Sequence, residues 1–232
     1  MRIYKKVIFV LSIMNGKDLK KVISLLQSRY GENLYTQLAH KNMTELFAAV
    51  LLSPQCSDPQ VNKTTKTLFN KYKTFSDYAN ADINALQRDI RGLNYYKTKA
   101  KYLKMAAEKI MEEYNGRIPR NLEGLMSLQG VGRKVGNVIL NEGFGINEGI
   151  AIDTHCTRVS GRLHIPGGKR RNPKKIEQWL MKNADKKDWG EISNLFIALG
   201  RDACKPRKEC YRCVLKNVCP SSDVQRARVV RK

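Results

Sequence analysis

The stretch LEGLMSLQGVGRKVGNVILN, residues 122–141, decides the fold of this chain. Its two ends carry apolar residues at helical spacing, and Gly130-Val131-Gly132 lies between them. Glycine lacks Cβ and tolerates positive φ, so the stretch predicts two helices joined by a tight turn, a helix-hairpin-helix. The turn amides and the N-terminus of the second helix then point at one place, where they can hold a nucleic-acid phosphate without reading bases. Taken alone, the motif is about equally consistent with a plain helical hairpin that binds no phosphate.

The charge of the chain favours the phosphate-binding interpretation. Its 232 residues include 43 Lys and Arg against 21 Asp and Glu, a formal net charge of +22. A chain this basic binds a polyanion such as DNA favourably, because binding releases counterions from the phosphates. The cations are spread along the sequence, whereas a membrane-surface protein concentrates them on one amphipathic helix.

The remaining sequence predicts helices and almost no strands, because apolar residues recur at helical spacing nearly everywhere. Asp58-Pro59 is typical of an N-cap followed by a first helical residue, and Asn172-Pro173 opens a later helix. Asn115-Gly116 suits a left-handed C-cap at the end of another helix. We therefore expect an all-α protein with short loops.

Residues 1–14 form an extension without an assigned role, in which a basic start and an apolar run at 7–14 imitate a secretory signal. The run is eight residues long, no small-residue cleavage site follows it, and it falls short of the ~20 residues that span a bilayer. Four of the six cysteines crowd into residues 204–219, unlike the distributed cysteines of a secreted disulfide scaffold. We expect a cytoplasmic, nucleoid-associated protein that contacts no membrane.

Two side chains near the hairpin could carry chemistry. Lys134 follows Arg133 at the start of the second hairpin helix, where the helix N-terminus and the neighbouring cation disfavour an ammonium group and leave a nucleophilic amine. Solvated contact with a phosphate is the commoner role of a lysine in so basic a chain. Asp153 is placed to cap a helix. Alternatively, it steadies a cationic sugar near the lysine and assists proton transfer.

The strongest motif is the cysteine set Cys204, Cys210, Cys213 and Cys219, spaced C-x5-C-x2-C-x5-C. Four thiols this close predict a metal centre, since without a ligand they would be an oxidation hazard. Their chemistry leaves a zinc site and a 4Fe-4S cluster both open. Because all four ligands are cysteine, a structural or redox-poised role is favoured over hydrolytic zinc chemistry, with the centre holding a basic loop in shape.

Together these motifs resemble the endonuclease III family of base-excision DNA glycosylases, within the wider helix-hairpin-helix glycosylase superfamily. The similarity runs from about residue 19 to residue 220 and rests on elements that are weak singly and specific together. They are L-L-S-P-Q-C-S-D at 51–58, G-L-N-Y-Y at 92–96, L-Q-G-V-G-R-K at 128–134, I-D-T-H at 152–155 and the cysteine loop at 204–219.

The resemblance implies a role for each matching residue. It makes Lys134 the nucleophile, Asp153 the catalytic aspartate and the four cysteines the ligands of a 4Fe-4S cluster. Gln55 matches the glutamine that fills the space left by an extruded base, and the loop at Leu93 and Asn94 matches the segment that wedges the opposite strand. Further DNA contacts are implied for Gly130, Val131, Gly132, Arg133, Thr154, His155, Lys205, Arg207 and Lys208.

The sequence departs from the family pattern in ways that bear on these roles. Five residues separate the first two cluster cysteines where the family commonly has six, Gln129 replaces a usual proline, and Val135-Gly136 replaces a usual Thr-Ala. We therefore expect differences in the loop shape and in the helix packing near Lys134. The stretch at 92–96 is closer to the adenine-mismatch branch, which normally lacks the lysine.

The resemblance implies two all-α lobes with a DNA groove between them: a helical barrel lobe at 36–147, and a cluster lobe formed by 15–35 with 148–232. It also implies a monomeric, bifunctional DNA glycosylase and AP lyase that removes damaged bases from duplex DNA and cleaves the abasic site by β-elimination through a lysine Schiff base. Oxidised pyrimidines are favoured by analogy alone. The alternatives are a monofunctional glycosylase for G:T or adenine mismatches, which Lys134 argues against, and a non-catalytic DNA-binding module. Lys134, Asp153 and Gln55 together argue against the module.

Overall fold

Helices make up all of the regular structure in residues 14–31, 34 and 36–224, the part of the chain that the computed structural model describes. In that part the α-helices are α1 (Gly16–Tyr30), α2 (Met43–Leu52), α3 (Asp58–Lys71), α4 (Phe75–Ala79), α5 (Ile83–Asp89), α6 (Tyr96–Tyr114), α7 (Leu122–Met126), α8 (Arg133–Phe144), α9 (Thr154–Arg162), α10 (Pro173–Asn183) and α11 (Trp189–Asp202). None of these helices is both long and apolar enough to cross a bilayer. Apart from Met14, the extension at 1–14 lies outside the described residues.

The helix ends mostly lie where local chemistry predicts them. Asn172 caps α10 with its side chain, and Asn115 ends α6 in the left-handed conformation at φ +50. The predicted start of α3 is wrong by one residue, because Ser57 occupies the extended cap position and Asp58 is already helical. Pro59 therefore lies within the first turn of α3, where a missing N–H costs no hydrogen bond.

The chain divides into two compact units. The hairpin unit is continuous, Tyr35–Ala151, and the cysteine unit joins Met1–Leu34 to Ile152–Lys232. The lobes expected from the sequence have their boundaries at 36 and 148.

The hairpin unit is built around α2, which is buried along most of its length. Its buried residues are Leu46, Phe47, Ala48, Ala49, Val50, Leu51 and Leu52. A helix that is apolar all round belongs at the centre of a core, and Leu103 of α6 and Ile139 of α8 join it there. A Cβ on Gly136 would lie 2.7 Å from Cδ1 of Leu122. The glycine that departs from the family pattern therefore lets α7 and α8 approach closely.

The cysteine unit brings together helices that are far apart in the sequence. Gln27 of α1 donates a hydrogen bond to Glu191 of α11 at 2.8 Å, and the Tyr30 hydroxyl donates to Asp202 at 2.7 Å. The α9 helix also packs on α11, through the buried Cys156, whose thiol donates to the carbonyl oxygen of Ser193 at 3.6 Å. These contacts fix α9 and the end of α11, from which the cysteine loop starts.

Candidate active site and cysteine loop

The hairpin turn has a steric need for glycine at its first position and open space at its last. Gly130 has φ +81, and a Cβ there would lie 2.7 Å from Cδ2 of Tyr102. Gly132 is in the ordinary extended region, at φ −86, and a Cβ there would have no atom within 4 Å. Gly132 also caps α8 without a side-chain hydrogen bond. The positive end of α8 is thus open to an approaching anion beside Gly132.

Lys134 is the second residue of α8 and is partly buried. Val135 and Ile139 of the same helix are buried in the core of the hairpin unit, which fixes the backbone on which the lysine is mounted. Arg133 beside it is exposed. An amine at this position lies next to any sugar-phosphate that the turn binds.

Asp153 caps α9, which is the structural role that its sequence position predicts. Its Oδ1 accepts a hydrogen bond from the backbone N–H of Cys156 at 2.7 Å, and Thr157 Oγ1 donates to its carbonyl oxygen at 2.7 Å. Asp153 also lines a cavity of about 850 Å³ within the cysteine unit. The cations in the wall of this cavity are Arg158, Arg162, Lys169 and Arg171. A carboxylate among several cations suits a ligand that combines a sugar with phosphate.

Gly161 of α9 and Gly168 of the following loop line this cavity. A Cβ on Gly168 would lie 2.5 Å from the backbone nitrogen of Gly161, so the loop after α9 packs directly on that helix. Gly167, with φ +90, allows the chain to turn there. The close approach holds Lys169 and Arg171 at the cavity that Asp153 also lines.

Gln55 and the loop before α6 form a second candidate contact, in the hairpin unit. Gln55 is exposed at φ +59, and Asn94 Nδ2 donates a 2.6 Å hydrogen bond to its carbonyl oxygen. Leu93, in the loop that the resemblance assigns to wedging the opposite strand, is only 3% exposed and packs in the core. The turn closed by the N–H of Leu93 and the carbonyl of Ile90 carries it inward. Tyr95 of the same G-L-N-Y-Y stretch is 65% exposed and has φ +57.

Thr154 and His155 occupy the first turn of α9. Thr154 is exposed, whereas His155 is partly buried, with Nδ1 3.0 Å from Nη2 of Arg158. A Cβ on Gly200 of α11 would lie 2.9 Å from the same Nδ1. The imidazole therefore packs against α11, and Thr154 is the more open of the two predicted DNA contacts.

The four cysteines of the cluster motif are free thiols in the loop after α11. Burial, together with the neighbouring sulfurs of Cys204, Cys213 and Cys210, raises the pKa of Cys219 to about 11. Burial, and then the sulfurs of Cys204 and Cys210, also raises the pKa of Cys213. The neighbouring thiols therefore disfavour ionisation of Cys213 and Cys219, and a bound metal centre would remove that repulsion.

Two arginines of α9 hold the cysteine loop. Arg158 Nε donates to the carbonyl oxygen of Cys204 at 2.9 Å. Arg162 Nη1 donates to Cys204 Sγ at 3.2 Å and to the carbonyl oxygen of Lys205 at 2.6 Å, and its Nη2 donates to that of Pro206 at 2.8 Å. No local sequence signal reveals either arginine, because the bonded partners lie more than 40 positions away.

Two of the three loop cations that the resemblance assigns to DNA have acidic partners within the cysteine unit. Lys205 pairs with Glu209 at 3.1 Å, and Lys208 pairs with Asp223 at 2.5 Å. Arg207 is exposed. The two lysines brace the loop, so Arg207 is the cation that the loop offers most openly to a partner.

The donor set of four cysteines is one that a 4Fe-4S cluster uses and that a zinc ion also accepts. Within the described residues, no three or more His, Cys, Asp or Glu side chains surround one point as ligands of a lone metal ion. Arg162 beside Cys204 Sγ also supplies the hydrogen bond to sulfur that such clusters use.

Known proteins are similar to this chain in sequence. Residues 48–186 match the family described as HhH-GPD superfamily base excision DNA repair protein. Endonuclease III of Bacillus subtilis (strain 168) is 41% identical over 184 residues, which cover 79% of this chain and 83% of that protein. Endonuclease III of Synechocystis sp. (strain ATCC 27184 / PCC 6803 / Kazusa) is 38% identical over 186 residues, 80% of this chain and 84% of that protein.

Solved structures share the fold. A trapped endonuclease III–DNA covalent intermediate, in an estranged-adenine complex, aligns with a TM-score of 0.84 and 34% identity over 94% of this chain and 100% of that one. A thermostable thymine-DNA glycosylase, only 20% identical, aligns with a TM-score of 0.79 over 90% of this chain and 98% of its own. The predicted all-α helix-hairpin-helix glycosylase fold is confirmed.

Proposed function

Because the chain belongs to the endonuclease III family, within the HhH-GPD superfamily of base excision DNA repair proteins, we infer that it is a bifunctional DNA glycosylase and AP lyase. The observation that carries this function is the lysine of the hairpin. Lys134 is the second residue of α8 and follows a glycine turn that is open beside Gly132. A glycosylase that uses only water has no need of an amine there, so the lysine favours the bifunctional enzyme over the mismatch alternative.

Duplex DNA that contains damaged bases or abasic sites is the substrate. The turn and the net charge of +22 hold the sugar-phosphate backbone without reading its sequence. The damaged nucleotide has to leave the base stack before its sugar can be reached, at a cost on the order of a few kcal/mol that is smaller for a lesion than for an intact pair. We assign Gln55 to the vacated space, since it is exposed on a turn that Asn94 fixes.

We assign Lys134 the role of nucleophile. Its Nζ attacks C1′ of the extruded nucleotide, and the base leaves with the electrons of the glycosidic bond. Opening of the sugar ring then gives a Schiff base between the lysine and C1′. Loss of a proton from C2′ expels the 3′ phosphate by β-elimination. One amine therefore serves both the glycosylase step and the lyase step.

We assign Asp153 a supporting role in the same reaction. The hydrogen bond from the N–H of Cys156 holds one of its carboxylate oxygens in place. A carboxylate fixed in this way can balance positive charge on the sugar and assist proton transfers. The N-cap role and the catalytic role thus use the same geometry.

We propose that Cys204, Cys210, Cys213 and Cys219 hold a 4Fe-4S cluster. When bound, the cluster supplies a rigid centre that can also exchange an electron. The chain's own contribution is the loop around it, whose Arg207 is exposed for a phosphate contact. We further propose oxidised pyrimidines as the lesion class, a monomer as the active form, and the cytoplasmic nucleoid as its location.

Borohydride trapping on a duplex that contains an abasic site tests the nucleophile. The wild-type enzyme should form a covalent adduct, because reduction fixes the imine, and Lys134→Gln should form none above background. Arg133→Gln is the matched control, since it removes a cation from the adjoining residue and keeps the amine. It should still form the adduct, with weaker DNA binding. Equal adduct yields from wild type and Lys134→Gln would refute the assignment.

A panel of duplexes carrying an oxidised pyrimidine, a G:T mismatch or an abasic site tests the reaction class. Incision of the first and third is expected. Base removal from mismatches without strand cleavage would instead support the monofunctional alternative, and binding without chemistry would support the DNA-binding module. Iron analysis and visible absorption test the cluster, and a colourless protein with stoichiometric zinc would overturn that assignment.

A further inference from the structure

A buried lysine and a cysteine lie in contact outside the candidate active site. The Nζ of Lys99 donates a hydrogen bond to Sγ of Cys56 at 3.1 Å. Lys99 is only 6% exposed, although lysine is rarely buried without a partner. Cys56 is partly exposed and packs against the core of the hairpin unit. The pair has no part in the glycosylase or lyase chemistry described above.

The two residues connect separate elements of the hairpin unit. Cys56 belongs to the turn after α2, where its N–H donates to the carbonyl oxygen of Ser53 at 3.0 Å. The preceding residue, Gln55, is the one at φ +59. Lys99 is in the first turns of α6, and 43 positions separate it from Cys56. A bond between them would tie the Gln55 turn to α6.

We propose that Cys56 and Lys99 form a peroxide-dependent covalent cross-link with a sulfur–nitrogen bond. In the first step hydrogen peroxide oxidises the Cys56 thiol by two electrons: the O–O bond breaks, an S–O bond forms, and the products are a sulfenic acid and water. In the second step the amine of Lys99 attacks the sulfur. The S–O bond breaks, an S–N bond forms, and hydroxide leaves as water with a proton from nitrogen. The sum is one thiol, one amine and one peroxide giving one sulfenamide and two waters.

The geometry suits both steps. The nitrogen lies 3.1 Å from the sulfur, within the 3–3.5 Å or so that separates reacting atoms in a near-attack arrangement. Because Lys99 is buried and Cys56 is partly exposed, we expect peroxide to reach the sulfur from the side that the amine does not occupy. Cys156 provides a contrast within the chain: it is fully buried, and its sulfur contacts Ser193 and not a lysine.

The cross-link would act on DNA through Gln55. It shortens the contact between Cys56 and Lys99 to a covalent bond and so restricts the turn that carries Gln55. The enzyme should lose incision activity on peroxide treatment and regain it when a thiol reductant opens the S–N bond. This activity readout rests on the proposed function, whereas detection of the cross-link does not.

Peptide mass spectrometry of the cluster-loaded full chain tests the proposal. After treatment with hydrogen peroxide and digestion, the wild type should yield a linked pair of peptides containing Cys56 and Lys99, two hydrogens lighter than their sum. Dithiothreitol should abolish it. Cys56→Ser keeps a hydrogen-bond acceptor for the buried amine, and Lys99→Arg keeps the charge but lacks a nucleophilic amine. Neither variant should give the linked pair, and circular dichroism checks that both are folded.

Each result bears on the proposal. Absence of the linked pair in wild type, or a Cys56 adduct of equal yield in Lys99→Arg, would overturn the cross-link. Reversible loss of incision activity that is at least fivefold greater in wild type than in Cys56→Ser would support the coupling to Gln55. Equal loss in both proteins would trace the inhibition to another site and reject that coupling. A chain without incision activity would refute the proposed function and leave the mass readout unaffected.

Discussion

Replacing Gly130 with alanine should destabilise the hairpin unit, whereas the same change at Gly132 should not. At φ +81 an alanine costs about 1–2 kcal/mol, because its Cβ crowds the left-handed backbone. The Cβ would also lie 2.7 Å from Cδ2 and 2.9 Å from Cβ of Tyr102. The Cβ of Tyr102 cannot rotate away from α6, and overpacking of this kind costs about 1–3 kcal/mol. Gly130→Ala should therefore lower the free energy of unfolding by about 2–5 kcal/mol.

Gly132→Ala is the matched control for this change. Its φ of −86 is open to alanine and no atom lies within 4 Å of the new Cβ, so the free energy of unfolding should fall by no more than about 1 kcal/mol, the loss of a favourable cap residue. The methyl group enters the space through which a phosphate would approach α8. DNA affinity should therefore fall, by about tenfold if one phosphate contact worth 1.4 kcal/mol is lost.

Urea unfolding and fluorescence anisotropy with a duplex carrying an abasic-site analogue measure the two effects separately. A Gly130→Ala protein that unfolds at the urea concentration of wild type would refute the steric argument. Full DNA affinity in Gly132→Ala would show that the open side of the turn is not where phosphate binds.

Other variants test the cysteine loop, the helix caps and the basic cavity. Arg162→Met removes hydrogen bonds to Cys204 Sγ and two loop carbonyls, so iron and visible absorbance should be lost faster on heating; unchanged loss would contradict the bracing role. Hydrogen bonds from the N–H groups of Thr74 and Lys73 lower the pKa of Asp77. The stabilisation that the Asp77 carboxylate provides is therefore complete above its unfolded-state pKa of about 3.9. It is lost as the pH falls through the lower pKa of the folded protein. Asp77 is the third residue of α4 and completes its capping box, so the Tm difference between wild type and Asp77→Ala should shrink on acidification; a constant difference would argue against that role. Gly168→Ala would place a Cβ 2.5 Å from a backbone nitrogen of α9, so Tm and DNA affinity should both fall; a normal Tm would show that the loop can move away freely.

Features set by local backbone chemistry could be predicted from the sequence. Gly130 adopts positive φ, Asn115 ends a helix in the left-handed region and Asn172 caps α10, because each depends on a few adjacent residues. The start of α3 was harder, since Ser57 and Asp58 are both good caps and their neighbours do not distinguish them. Roles carried over from the family, such as that of Lys134, remain predictions.

Features set by distant residues could not be predicted. Arg162 lies 42 positions from Cys204 in the sequence, and Lys99 lies 43 positions from Cys56. No pattern within a single helix or loop therefore predicts either contact. The burial of Leu93 likewise depends on the core that its short turn packs against, while its DNA contact remains a prediction from the motif.

The cysteine unit is formed by two stretches that are far apart in the sequence, and this affects how it can fold during translation. Tyr35–Ala151 leaves the ribosome before any residue of α9 to α11, so the hairpin unit can fold while the rest of the chain is still being made. Helix α1 has to wait, because Gln27 and Tyr30 find Glu191 and Asp202 only after more than 160 further residues have been added. Until then the buried face of α1, with Leu19 and Leu26, lacks its native cover, and a nascent chain stalled at this stage is a natural client for a chaperone.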